Sequence, residues 1–176
     1  MAVDQSFVGR VYPPDGVYEV SAEKVREFAA AVAGAGAAPA TGGPLAAVVV
    51  PAVHVDAAAA RALGHDAPLA PPTFAVVLAQ RSDARFLADP AAGVDFTRVV
   101  HGEQSFVHHR PVRVGDRLLT TLHVDGVRAA GGNAMVTTRS EIADEAGELV
   151  CTATSVLVVR APEPTPTPAP VTEERA

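Results

Sequence analysis

Arg117-Leu118-Leu119-Thr120-Thr121-Leu122-His123-Val124-Asp125-Gly126-Val127 is the stretch whose reading decides the fold. Leu118, Leu122 and Val124 alternate with Thr121, His123 and Asp125. Successive side chains of a strand point to opposite faces, so this period of two predicts a strand with one dry and one wet face. Three further runs read as strands: Val99 to Val107, Asn133 to Ile142 and Leu149 to Val159. The pieces between them are short and rich in turn residues: Pro111-Val112-Arg113-Val114-Gly115-Asp116, Ala129-Ala130-Gly131-Gly132 and Asp144-Glu145-Ala146-Gly147-Glu148. Short turns between strands predict an antiparallel meander.

The first half of the chain has a different texture. Pro13-Pro14-Asp15-Gly16 is a turn signal, and Val17-Tyr18-Glu19-Val20 a short strand candidate. Ser21 is a candidate N-cap for a helix in which Val25, Phe28, Ala29 and Val32 form one apolar stripe, closed by Gly34 and Gly36. Ala46-Ala47-Val48-Val49-Val50 is compatible with a strand or a packed loop. Asp56 should cap a short Ala-rich helix that ends at Gly64. Ala67 to Pro72 must be extended, because a residue before proline avoids the helical region. Thr73 is placed to cap a helix through Phe74, Val76, Val77, Leu78 and Ala79, which reads as apolar nearly all round and therefore buried.

Composition bounds the function. The 176 residues suffice for one domain, and 48% hydrophobic residues can build its core. The expected domain is 1–160, with an Ala/Gly/Pro-rich insert at about 34–66 and a disordered Pro-rich tail at 161–176. A net charge of −6 argues against a nucleic-acid binder, which needs a basic face. No apolar run is long enough for a membrane span, and Met1-Ala2-Val3-Asp4-Gln5 is unlike a signal peptide. The single cysteine, Cys151, excludes a disulfide framework and a multi-Cys metal site; a reducing cytoplasm is the expected compartment. Cys151 alternates with Leu149 and Ala153 and reads as a buried filler. No Gly-x-Ser-x-Gly elbow, dinucleotide fingerprint or phosphate loop is present.

Helices on one face of an antiparallel sheet make an α+β layer. A buried apolar helix needs a sheet curled around it, which is the description of a hot-dog fold. Several segments resemble the MaoC-type dehydratase N-terminal family, in particular the small subunit of two-subunit (3R)-hydroxyacyl carrier-protein dehydratases. They are Phe7-Val8-Gly9-Arg10 with Tyr12-Pro13-Pro14, Tyr18-Glu19-Val20, Ala62-Leu63-Gly64-His65, Ala70-Pro71-Pro72-Thr73-Phe74, Val100-His101-Gly102-Glu103-Gln104-Ser105-Phe106, and Arg110-Pro111-Val112 with Gly115-Asp116. The resemblance covers roughly residues 4–160. It implies a hot-dog dimer joined edge to edge, either a homodimer or a heterodimer with a homologous subunit that carries the catalytic dyad. It also implies a ligand that is an acyl thioester of carrier protein or coenzyme A, with no cofactor and no metal.

Catalytic relatives carry an Asp and, five residues later, a His just after the first long helix. One group removes the α proton and the other protonates the departing β-hydroxyl. Here that place reads Ala33-Gly34-Ala35-Gly36-Ala37-Ala38-Pro39, with no titratable side chain. The resemblance therefore implies a subunit that does not carry the chemistry by itself.

The remaining candidates each have a plain structural alternative. His101 and Glu103 are the candidate catalytic residues, and His101, Gly102 and Gln104 candidate thioester contacts at a strand mouth; hydrogen bonding at a sheet or dimer edge is the alternative. Pro72, Thr73 and Phe74 are candidates to line the acyl tunnel, or simply pack. His108 and His109 are adjacent, so on a strand they face opposite sides and cannot share a metal. His54 and His65 read as local structure, and Asp116 as a turn residue. Arg81 and Arg85 lie one helical turn apart and suit either an acidic carrier protein or solvent. A hot-dog thioesterase and a non-enzymatic acyl-thioester-binding module are the competing functions.

Overall fold

The computed structural model describes residues 3–34 and 50–161. The strands are β1 (Val11–Tyr12), β2 (Tyr18–Glu19), β3 (Val99–His108), β4 (Arg117–Ala130), β5 (Asn133–Asp144) and β6 (Leu149–Val159). They form one antiparallel sheet in the order β1-β4-β5-β6-β3, with β2 also on β4. The helices are α1 (Ala22–Gly34), α2 (Ala57–Ala62) and α3 (Val76–Leu87), and α3 packs against β4, β5 and β6. This is the hot-dog fold: a six-stranded antiparallel sheet curled about a central helix.

The meander expectation holds for β4, β5 and β6. Ala130 and Asn133 pair across a two-residue turn in which Gly131 and Gly132 have φ of 57° and 80°. Both values lie in the left-handed region that L side chains avoid, which is why glycines stand there. The expectation fails for β3, which pairs with β6 at the far edge and not with β4. Pro111–Asp116 is therefore a crossover. It is fastened to the segment leading into α3, with Ala70 N–H donating to Val112 O at 2.8 Å and Val114 N–H to Pro68 O at 2.9 Å. Asp116 is the turn residue expected, and it also accepts from Arg113 N–H and Arg110 Nη1, both at 2.8 Å.

Helix ends follow the sequence in two cases and depart from it in a third. Ser21 Oγ accepts from Lys24 N–H at 3.2 Å at the start of α1. Asp56 Oδ1 accepts from Ala58 N–H at 2.6 Å and caps α2. Thr73, by contrast, is exposed and caps nothing; it lies in a 3-10 turn, Pro72–Ala75, that runs straight into α3. On α1, Val25 and Ala29 are buried and Phe28 half-buried, but Val32 is 45% exposed, so the stripe covers only the first turns. Ala46–Val49 and most of the Ala33–Pro39 stretch lie outside the described residues, as does the tail beyond Ala161.

The core has two apolar clusters. One gathers Val20, Val25, Phe74, Leu78, Leu118 and Ile142; the other gathers Phe7, Phe86, Leu122, Val124, Val136 and Leu157. Phe74 meets Phe28 edge-on with centroids 5.4 Å apart, and Phe86 meets Phe7 likewise at 6.0 Å. Between the clusters runs a buried polar band: Ser82 and Asp83 on α3, Thr138 and Ser140 on β5, and Ser155 on β6. The reading of α3 as apolar all round is thus corrected. Gln80, Arg81 and Ala84 are exposed, and the inward face itself carries a serine and an aspartate.

Candidate ligand-binding site

The sequence-derived binding set divides between two places. Pro72 lines a cavity of about 410 Å³ with His54, His108, His109 and Arg110. His101 lines a second, of about 320 Å³, between α3 and β3. His101 and His108 stand at opposite ends of β3, on the order of 20 Å apart at the usual strand rise.

In the first cavity, backbone carbonyls hold two of the imidazoles. His54 Nδ1 bonds Leu69 O at 2.7 Å and His108 Nε2 bonds Pro72 O at 2.8 Å. A carbonyl only accepts, so each of those ring nitrogens is the protonated one. His109 Nε2 lies 3.1 Å from Thr152 Oγ1. His108 and His109 therefore line one cavity, against the expectation of opposite faces: β3 ends at His108 and the chain bends there. Among the described residues no group of three or more His, Cys, Asp or Glu is arranged to hold a metal. Phe74 does not reach this opening, being fully buried in the core. Thr73 is exposed.

The second cavity is walled by Ala84, Leu87, Phe96, Val99 and Leu157, with Gln80, Asp83 and His101 as polar members. A β-bulge falls between His101 and Glu103, leaving Gly102 unpaired. A side chain on Gly102 would begin 3.2 Å from Val156 O and 3.3 Å from Val158 Cγ2, so glycine here answers to a close approach of backbone. The bulge brings His101 beside Gln104, with Nε2 3.1 Å from Oε1. Gln104 Nε2 in turn donates to Thr154 O at 3.0 Å, and Ser155 Oγ donates to Gln104 Oε1 at 3.0 Å. Glu103 alternates with Gln104 along the strand, is exposed, and makes no part of this group.

The carboxyl near His101 is Asp83 instead. It is 3% exposed; Oδ1 accepts from Thr138 Oγ1 at 2.6 Å, and Oδ2 is buried without a partner among the described residues. Burial pushes its pKa above the ordinary carboxylate value, and the nearby Thr138 and Ser155 hydroxyls and His101 only partly oppose that. Reading the sequence missed Asp83, although its spacing was informative. Ala75, Leu78, Ala79, Ser82, Asp83 and Phe86 fall at i, i+3, i+4, i+7, i+8 and i+11, one helical face.

Arg81 and Arg85 are engaged with the N-terminal segment. The Arg81 guanidinium lies 5.3 Å from the Tyr18 ring centroid, and Arg85 bonds Pro13 O and sits 3.7 Å from Asp15. Cys151 is fully buried as expected, and burial pushes its thiol up to about 11.

A family model described as the FAS1-like dehydratase domain region matches residues 6–153. The chain belongs to the FAS1-like dehydratase family. Among its relatives is the UPF0336 protein of Saccharopolyspora erythraea, 48% identical over 160 residues, spanning 91% of this chain and 93% of that one. The UPF0336 protein of Streptomyces griseus is also 48% identical, over 163 residues, spanning 93% and 99%. Among solved structures, this FAS1-like dehydratase chain is similar to one in the HadBC (3R-hydroxyacyl-ACP dehydratase) complex of Mycobacterium tuberculosis. The TM-score is 0.71 at 29% identity, covering 90% of this chain and 99% of that one. A MaoC-like dehydratase gives a TM-score of 0.73 at 30% identity, covering 89% of this chain but 43% of that longer one.

Proposed function

We propose that this chain is the acyl-holding subunit of a (3R)-3-hydroxyacyl-thioester dehydratase or enoyl hydratase, in fatty-acid or polyketide metabolism, and that a homologous subunit supplies the Asp/His dyad. One observation carries the reading: Ala33-Gly34-Ala35-Gly36-Ala37-Ala38-Pro39 offers no titratable group where catalytic relatives of the resembling family carry theirs. Dehydration breaks an α C–H bond and a β C–O bond to form the C=C bond and water. Each proton transfer needs a group within hydrogen-bond reach, and losing one costs on the order of 10² to 10⁴-fold in rate. A chain without the pair is left with binding the acyl tail and excluding water.

Two features support that division. The similarity to a chain of the HadBC complex runs over 99% of that chain, and the complex is a 3R-hydroxyacyl-ACP dehydratase. The sheet ends at β3, a ten-residue edge strand bearing the exposed Val100 and Val107, which suits edge-to-edge pairing with a second hot-dog subunit. The thioester is carried by acyl carrier protein or coenzyme A, and the compartment is the cytoplasm. Among the described residues no helix is long and apolar enough to cross a membrane.

The test is hydration of crotonyl-coenzyme A and crotonyl carrier protein by the chain alone, by a dyad-bearing homologous subunit alone, and by the two together. The expected result is turnover by the complex and none by this chain. Turnover by this chain alone, lost in His101→Ala, would replace the reading with an enzyme that uses His101, a hot-dog thioesterase included. Acyl-thioester binding with no turnover in any mixture would leave a non-enzymatic binding module.

A further inference from the structure

Asp83 lines the α3–β3 cavity, and its Oδ2 is buried with no hydrogen-bond partner among the described residues. Oδ1 is taken by Thr138 on β5, which leaves Oδ2 as the oxygen for the cavity. A desolvated polar atom without a partner costs free energy that is recovered only when a donor reaches it. Burial also penalises the charged form of this carboxyl, a penalty that an opposite charge in the cavity would offset. Among the described residues no Lys or Arg lines the cavity to supply one. Gln80 and His101 are the other polar members, and His101 Nε2 is already 3.1 Å from Gln104 Oε1.

The place of the cavity says where a donor could come from. β3 pairs with β6 alone, so its other edge is open among the described residues. A second sheet joined antiparallel to that edge, about an axis perpendicular to the sheet, keeps its own central helix on the same side as α3. The cavity then lies between the two helices. Its rim has the character of a contact surface: Phe96, just before β3, is 70% exposed, and Gln80 and Ala84 on α3 are exposed beside it. A second copy of this chain would bring the same face, with the Gln80 amide as its longest donor. The two cations of its α3, Arg81 and Arg85, are turned to its own N-terminal segment at Tyr18, Pro13 and Asp15. The missing charge has to come from a different chain.

We infer that the α3–β3 cavity receives a Lys or Arg side chain of the homologous subunit, which donates to Asp83 Oδ2, and that this contact selects the unlike pair over a pair of like chains. The inference rests on the two-subunit reading above in taking the partner to be a hot-dog subunit joined at β3. A like chain leaves the Asp83 oxygen without an opposite charge, and the selection follows from that cost. Phe96 covers the contact from the rim and keeps water from it.

The experiment mixes the full chain with a homologous subunit that carries the Asp/His dyad and reads dissociation constants by analytical ultracentrifugation. The expected results are an unlike pair tighter than any pairing of this chain with itself, weakened about 30-fold by Asp83→Asn and about fivefold by Phe96→Ala. Each Lys and Arg on the partner's central helix, and in the segment before its edge strand, is then changed to Met. One of these changes should weaken the pair as Asp83→Asn does and cost nothing further on the Asp83→Asn background. An unlike pair indifferent to Asp83→Asn, or additive losses for every cation, would overturn the inference and leave the two-subunit reading standing. A like pair as tight as the unlike one would overturn the selection. Absence of any unlike pair with the native chain would overturn the inference and that reading together. Urea denaturation of the free chain shows whether each variant is folded. Phe96→Ala, at an exposed position, and the partner's own substitutions carry the test if Asp83→Asn is not.

Discussion

The Thr138 hydroxyl donates to Asp83 Oδ1 at 2.6 Å, joining the middle of α3 to the middle of β5 inside the core. Folding raises the pKa of Asp83, so the native state holds that proton more tightly than the unfolded chain does. The native state binds more protons, and stability therefore falls as pH climbs from the unfolded value near 3.8 through the raised native one. Asp83→Asn resembles the neutral acid in shape and has nothing to titrate. Urea midpoints measured at a series of pH values should drop less steeply above about pH 4 in the variant than in the parent. Equal slopes would mean that the carboxyl's affinity for its proton is the same in both states.

Phe74 and Thr73 are neighbours with opposite expected costs. Phe74 is fully buried against Phe28 and Tyr18, so Phe74→Ala should cost about 3–5 kcal/mol of unfolding free energy. Thr73 is exposed and caps no helix, so Thr73→Ala should stay within about 0.5 kcal/mol. Chemical denaturation of the two variants side by side checks both.

The β4–β5 turn gives a backbone prediction. Gly131 has a φ of 57°, and Gly131→Val should destabilise by about 1–2 kcal/mol. Gly131→Asn should be close to neutral, since asparagine tolerates the left-handed region in such turns. Thermal unfolding of the pair separates backbone strain from loss of the position itself.

Tyr12 donates its phenol to Asp89 Oδ2 at 2.8 Å. Burial, then that bond and the charge of Asp89, push the phenol up to about 12. Asp89→Asn should bring it down toward 10.0, because the burial that remains is opposed by the charges of Arg10 and Arg85. The chain has 2 tyrosines, so ultraviolet titration with Tyr12→Phe as the reference assigns the signal.

What the sequence disclosed and what it hid divide along the range of the interactions. β4, β5 and β6 were legible because alternation and a two-glycine turn are local facts. The Ser21 and Asp56 caps were legible for the same reason. The place of β3 was not, because Pro111–Asp116 looks like any short turn until Ala70 and Pro68 are found bonded to it. Thr73 misled because a cap residue before an apolar run is ambiguous when the chain enters through a 3-10 turn. At the candidate site, His101 and Gln104 were singled out and are joined by the Gly102 bulge. Spacing along α3 puts Asp83 on the inward helical face, but not what it meets there, because its partner Thr138 is 55 residues away.

The polar band between the two apolar clusters has a mechanical consequence. A smooth greasy helix in a smooth greasy trough can slide lengthwise or roll with little loss of contact. One hydroxyl–carboxyl link at its midpoint forbids both, since any slip strands two desolvated dipoles. The oily material on either side is thereby freed to change size and shape over evolutionary time while the helix keeps its seat.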